Sequence, residues 1–232
     1  MTHVSRPIDA LHAADASVRL RAAMSAGTRP EDRDVPVLLA RSAVEPDFFV
    51  RDMLTWALTR HPVSHTLPLL VAELGSPHDQ ARSQALHTLS KLKEAGAWPA
   101  VSDFLHDPDD EVARAAWRAA VVLAPRGARA ELVAELVREL GRGDRDVQLS
   151  LSRALLALSD GTPAVDHASG AAGAAADTVA GMLAEAQGHP EARVRAHAVA
   201  TQRLLADPDA EFGAALDEAT RVAIDRAAPA VR

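Results

Sequence analysis

The chain of 232 residues has no cysteine, no tyrosine and only two lysines, Lys91 and Lys93. Without cysteine there is no disulfide framework, no thiolate nucleophile and no cysteine-ligated zinc or iron–sulfur centre, a usage that fits a reducing cytoplasm. Arginine carries nearly all the positive charge, and the formal net charge is -7 with a pI near 5.8. Indiscriminate binders of nucleic acid or anionic lipid need the opposite balance, so neither is an expected partner. No apolar run approaches the roughly 18 residues of a membrane span. The opening residues also lack the basic and apolar regions of a secretory signal, and the expectation is a soluble cytoplasmic protein. Asparagine is absent, isoleucine is rare, and Ala, Val, Leu and Asp dominate, the composition of a GC-rich bacterial genome.

Catalytic and metal signatures are missing too. His61 and His65 stand four apart, but Pro62 interrupts any helix between them, and no HExxH occurs. Neither G-x-S-x-G, nor a P-loop, nor G-x-G-x-x-G is present. An all-helical pattern also offers none of the strand-to-helix turns those motifs need. No cofactor, metal or catalytic residue is therefore expected from motifs. Aromatics are scarce, four Phe and three Trp, yet Phe48, Phe49 and Trp56 fall within nine residues of one another. That cluster is either core or a binding surface, and the architecture decides which.

What the sequence does contain is a repeat. Pro46, Pro77 and Pro108 recur every 31 residues, each followed four residues later by Val50, Ala81 or Val112, and after four more by Leu54, Ala85 or Ala116. Pro190, Val194 and Ala198 repeat the pattern, while Val18 with Ala22 and Val147 with Leu151 carry it without the proline. Proline suits the first turn of a helix, with Asp107 or Ser76 ahead of it as the expected cap. The spacing of Val50, Leu54, Ala57 and Leu58 then makes one apolar helical stripe. Second helical patterns lie between these, over residues 35–44, 67–74, 97–105, 132–140 and 179–186, punctuated by Gly75, Gly96, Gly127, Gly141 and Gly143. Helices alternating at a short constant period predict an all-α fold, an α-solenoid whose repeats bury their faces against their neighbours.

The helix-B signature, an acidic or proline entry followed by Val-Arg and a small residue, resembles that of the HEAT family. It reads "SVRLRA", "FVRDML", "QARSQA" and "RVRAHA". The short bacterial HEAT-like repeats, also found in phycobilin lyase subunits, are the nearest in kind, and the resemblance spans residues 7–206. It implies about six helix pairs in a single domain of residues 1–232, closed by a C-terminal capping helix over residues 209–228. Residues 159–178, rich in Gly, Ala and Ser, lengthen one interval and are expected to be a flexible insertion. The first repeat has only "PIDALHA" for its helix A, too short to cover the apolar face of residues 18–26. That shortfall and the amphipathic C-terminus are compatible with a homodimer.

In HEAT-like stacks the B helices line the concave surface. On the second B helix, Phe49, Asp52 and Trp56 lie away from the stripe. Repeat register then adds Ser83 and His87, Arg114 and Arg118 with Trp117 at the edge, and Arg153. Arginines beside an indole in an acidic protein make a receptor for a carboxylate, a phosphate or an acidic protein segment. The expected function is a non-catalytic scaffold or adaptor binding a protein segment or anionic ligand there. Two alternatives remain open: a DNA glycosylase of the alkylpurine type, with Asp52 as its carboxylate, or a small-ligand regulatory module. Arg19, Arg51, Arg82 and Arg195, one position after the signature residue, read instead as structural, pairing with acids of an adjacent turn.

Overall fold

A computed structural model describes residues 7–160 and 172–225, and among these every regular element is helical. The first repeat is a 3-10 segment, Pro7–His12, followed by α1, Ala16–Thr28. Three helix pairs follow, α2 (Val35–Ser42) with α3 (Phe48–Thr59), α4 (Val63–Glu73) with α5 (Asp79–Leu92), and α6 (Trp98–Ser102) with α7 (Asp110–Leu123). Then come α8 (Arg129–Val137) with α9 (Arg145–Ser159), α10 (Ala172–Ala186) with α11 (Ala192–Ala206), and α12, Phe212–Asp225. This is the all-α, α-solenoid class of fold. The chain forms two compact units, Met1–Ala119 and Ala120–Arg232, with the boundary inside α7.

The stripe that predicts the repeat is the core of each unit. Val50, Leu54, Ala57 and Leu58 of α3 are buried, as are Ala81 and Ala85 of α5 and Val112 and Ala116 of α7. Val147, Leu151 and Leu155 do the same for α9. Each fully buried Leu or Val contributes about 1.5–3 kcal/mol relative to an exposed one, so the periodic positions stabilise the stack most.

The capping differs from the sequence reading. Pro46, Pro77, Pro108 and Pro190 stand just outside their helices, and the helix-opening carboxylates come after the proline in two of them. Asp47 accepts from the Val50 amide at 3.0 Å, and Asp109 accepts from those of Glu111 and Val112 at 3.0 Å. Asp15 and Asp144 do the same for Val18 and Val147, so an aspartate three residues before the signature residue satisfies otherwise orphaned N–H groups. Ser76 and Asp107 belong to the turns instead; Asp107 accepts from the Asp109 amide at 2.9 Å.

Two further expectations change. The short first helix A suffices, because Ile8 and Leu11 are buried against α1 despite the segment's length. Helix α10 begins at Ala172, inside the stretch read as an insertion, since a run of alanine has the highest intrinsic helix propensity and outweighs its glycines. Residues 161–171 of that stretch, and 226–228 of the expected C-terminal helix, lie outside the described residues. Within α12, Phe212, Leu216, Ala219 and Ala223 pack on Ala196, Ala200 and Leu204 of α11.

The signature arginines tie the repeats together. Each sends Nη1 back to carbonyls five or six residues earlier, in the turn that opens its own helix: Arg19 to Ala13 and Ala14, Arg51 to Glu45 and Pro46, Arg82 to Ser76, Arg195 to His189 and Pro190. Arg19 also reaches Glu45 in the next repeat's turn at 2.7 Å, and Arg82 reaches Asp107 in the next at 3.4 Å. Glu45 is fully buried, and it also takes Arg41 at 2.6 Å and the Asp47 amide at 2.9 Å. Burial alone would push its carboxyl pKa up. The two guanidiniums and the amide outweigh that and hold it down at about 2.

Candidate functional site

The first unit contains a groove of about 270 Å³ bounded by α3, α5 and the start of α7. Helix α3 supplies Phe48, Arg51 and Asp52, helix α5 supplies Ser83, Gln84 and His87, and helix α7 supplies Glu111, Ala115 and Arg118. Repeat geometry makes this arrangement. Residues i, i+3/4 and i+7 share a helix face, so equivalent positions of successive B helices form the walls while the Val/Leu/Ala stripe is turned inward.

Some lining groups are already engaged. Ser83 donates to the Gln80 carbonyl, Glu111 accepts from Arg114 at 2.6 Å, and the Arg51 guanidinium lies 6.0 Å from the centre of the Phe48 ring, a cation–π distance. Three ionisable groups are not. Among the described residues the Asp52 carboxylate, the His87 imidazole and the Arg118 guanidinium have no hydrogen-bond or ion-pair partner. Burial and then the neighbouring Arg114 hold the Arg118 pKa below its ordinary value, partly offset by Glu111. The group stays cationic all the same, in surroundings that would reward an anion. Burial, then Lys91 and Arg118, hold the His87 pKa below its usual value against an opposing pull from Asp52.

Of the residues the sequence points to, the structure brings Asp52, Ser83, His87 and Arg118 into this groove and leaves the others out of its lining. Arg114 borders it only through its pair with Glu111. Phe49 is 71% exposed and meets Phe48 edge-on at 5.6 Å, but Phe48 is the one that lines the groove. Trp56 packs on α1: a Cβ on Gly27 would lie 2.3 Å from its ring, so the glycine there makes room for the indole. Trp117 is wholly buried, and its Nε1 donates to the Leu105 carbonyl at 2.9 Å. It is a core residue and not part of a surface, because the repeat places position 117 on the buried side of α7. Arg153 is exposed on α9, in the other unit. The groove thus keeps a carboxylate but neither tryptophan that would stack on an extruded base.

The second unit carries a larger cleft, about 840 Å³, between α8, α10 and α11, with Val137, Met182 and Ala186 on its walls. Its two arginines are matched locally, Arg138 with Glu135 and Arg193 with Glu191. The second unit also buries a neutral polar network. The His197 Nδ1 accepts from the Gly141 amide at 2.9 Å, which puts the ring proton on Nε2, 3.0 Å from both the Gln148 carbonyl and Ser152 Oγ. Ser152 Oγ in turn lies 2.7 Å from Thr201 Oγ1. Burial drives the His197 pKa down to about 4 against the pull of the Gln148 carbonyl, so the imidazole is neutral. Among the described residues no cluster of metal-ligating side chains occurs, and no helix is long and apolar enough to cross a membrane.

Residues 50–124 match the family of HEAT repeats. An engineered protein of known crystal structure is 19% identical, over 92% of this chain and 96% of its own, with a TM-score of 0.44. A chain in the complex of CpcE and CpcF of phycocyanin lyase from Nostoc sp. PCC7120 is 16% identical, over 97% of this chain and 88% of its own, with a TM-score of 0.46. No curated protein matches the chain.

Proposed function

We propose, for a chain whose residues 50–124 are HEAT repeats and which is accordingly a HEAT-repeat protein, that it is a non-catalytic binding module whose α3–α5–α7 groove receives an acidic protein segment. The observation that carries this reading is Arg118: a guanidinium with no carboxylate partner among the described residues, in a groove whose other cations are tied up in turns or pairs. An incoming carboxylate would meet a cation that no protein carboxylate engages, and the pair would form a charge-assisted hydrogen bond. Phe48 and Phe49 at the rim offer apolar area beside it, as expected of a protein-binding surface with an aromatic anchor and a charged neighbour.

The test is site-specific cross-linking. A photo-reactive residue replacing Gln84 should capture a partner in cell extract, and the linked peptide should be rich in Asp or Glu. Arg118→Glu should abolish that capture. Undiminished capture in Arg118→Glu, or a linked peptide without acidic residues, would rule out the reading.

A further inference from the structure

The groove has a second uncommitted group capable of cationic charge, and it lies on the helix between the other two. We infer that an anion entering the groove is held jointly by Arg118 and His87, and that His87 takes up a proton as the anion binds. This rests on the groove being the binding site.

The argument starts from what surrounds the imidazole. On its own helix Lys91 follows one turn later. From α3 it faces Asp52 and Arg51, and from α7 Arg118 and Glu111, the last already tied to Arg114. Neither ring nitrogen is bound to another described residue, in contrast to His61, whose Nδ1 lies 2.8 Å from the Ala57 carbonyl, and to His197, whose two nitrogens are both occupied. His87 therefore keeps both nitrogens available to a ligand. In the empty groove its protonation is opposed by desolvation and by the cations of Lys91 and Arg118, with Asp52 alone assisting. A carboxylate seated at Arg118 offsets that cation and adds an acceptor within the same small volume, so it favours the imidazolium on both counts. Each of the two binding events then promotes the other by the same factor, and affinity for the anion rises as pH falls.

The probe is a capped hexa-aspartate peptide, N-acetylated and C-amidated, whose charge is nearly constant between pH 5.5 and 7.5. Wild type should bind it about fivefold more tightly at pH 5.5 than at 7.5, the effect over that range of about one pKa unit of coupling. The His87 ring resonance should titrate at higher pH with peptide than without. His87→Gln should still bind but change by less than about twofold over the same range, which separates this residue from the other histidines. Arg118→Glu should bind poorly at both pH values. If wild type binds the peptide with the same affinity at both pH values, or if His87→Gln keeps the full pH dependence, proton uptake at His87 is wrong while the groove stands. If the peptide fails to bind at any pH, both readings fall.

Discussion

The two compact units solve the same structural problem with different chemistry. In each, a turn ahead of a B helix is tied down by a side chain from the B helix of an adjacent repeat. In the first unit the tie is ionic: Arg19 reaches forward to the buried Glu45, which Arg41 also holds. In the second it is neutral: His197 reaches back to the amide of Gly141 and is steadied by Ser152 and Gln148. A repeat backbone thus fixes where the junction falls without fixing what fills it. Because one tie depends on a carboxylate staying charged and the other on an imidazole staying uncharged, the two units should differ in how they respond to substitution and to acid.

The largest expected effect breaks the ionic tie. Glu45→Gln keeps the shape but strands two guanidiniums against a neutral amide in a buried site, at a cost of about 3–5 kcal/mol. Urea denaturation measures it, and a loss below about 1 kcal/mol would mean that the carboxylate is not what holds the turn. Acid comes next and should strike the second unit first. The unfolded chain protonates a histidine near 6.5, whereas the folded protein keeps His197 neutral down to about 4. Between these values the unfolded state binds more protons, so the contribution is intact above pH 6.5 and is lost as pH falls towards 4. It amounts to about 3 kcal/mol in full, of which about 2 is lost by pH 5. Glu45 behaves oppositely in chemistry but later on the scale: its contribution is present above about 4.5 and fades only as pH falls towards 2. Hydrogen exchange at pH 7 and pH 5 should therefore show α9 and α11 losing protection while α1 and α3 keep theirs. Equal losses in both would erase the distinction.

How legible these features were follows from what periodicity encodes. The buried stripe, the number of helix pairs and the structural engagement of the signature arginines can be read from the sequence because they recur at one register, and recurrence is a signal; the expected acidic partner is met by Arg19 and Arg82, whereas Arg51 and Arg195 meet backbone carbonyls. The placement of Asp52, His87 and Arg118 along one groove follows from the same projection. Trp117 was misplaced because its type, not its register, drew attention: a scarce indole looks functional, yet position 117 falls on the buried side of α7. Trp56 shares the register of His87 and Arg118 and stays 39% exposed, but its ring fills the space that Gly27 leaves open on α1 and does not line the groove. The His197 network could not be read at all, since it joins residues of two repeats through a glycine amide and has no counterpart elsewhere in the chain. Helix α10 was half hidden because its alanines looked like linker.

The neutral tie can be sharpened at its other end. Gly141 has a φ of +84°, and a Cβ there would lie 3.1 Å from the Arg193 side chain and 3.2 Å from the Val194 amide nitrogen. Gly141→Ala should cost about 1–3 kcal/mol through left-handed strain and displacement of the amide that binds His197. It should also shrink the acid-dependent loss described above, because displacing the turn admits water to an imidazole whose pKa is lowered by burial. Thermal denaturation at pH 7 and pH 5 measures both, and an unchanged pH dependence would separate the turn from the network.

The smallest expected change in stability is the one that matters most for binding. The arginines at the junctions are engaged by carbonyls and carboxylates, whereas Arg118 is exposed and has no partner among the described residues. Reversing its charge removes no interaction of the fold and relieves its repulsion with Arg114, while placing a carboxylate near Glu111 and Asp52. These opposing terms are screened by solvent and should leave stability within about 0.5 kcal/mol of wild type. Arg19→Met, in contrast, empties a buried junction and should cost several times more, in the range of a broken buried pair at about 3–5 kcal/mol. Parallel urea titrations of the two variants decide the matter. If Arg118→Glu unfolds the protein as readily as Arg19→Met does, then Arg118 belongs to the scaffold, and loss of partner capture in that variant would report on folding alone.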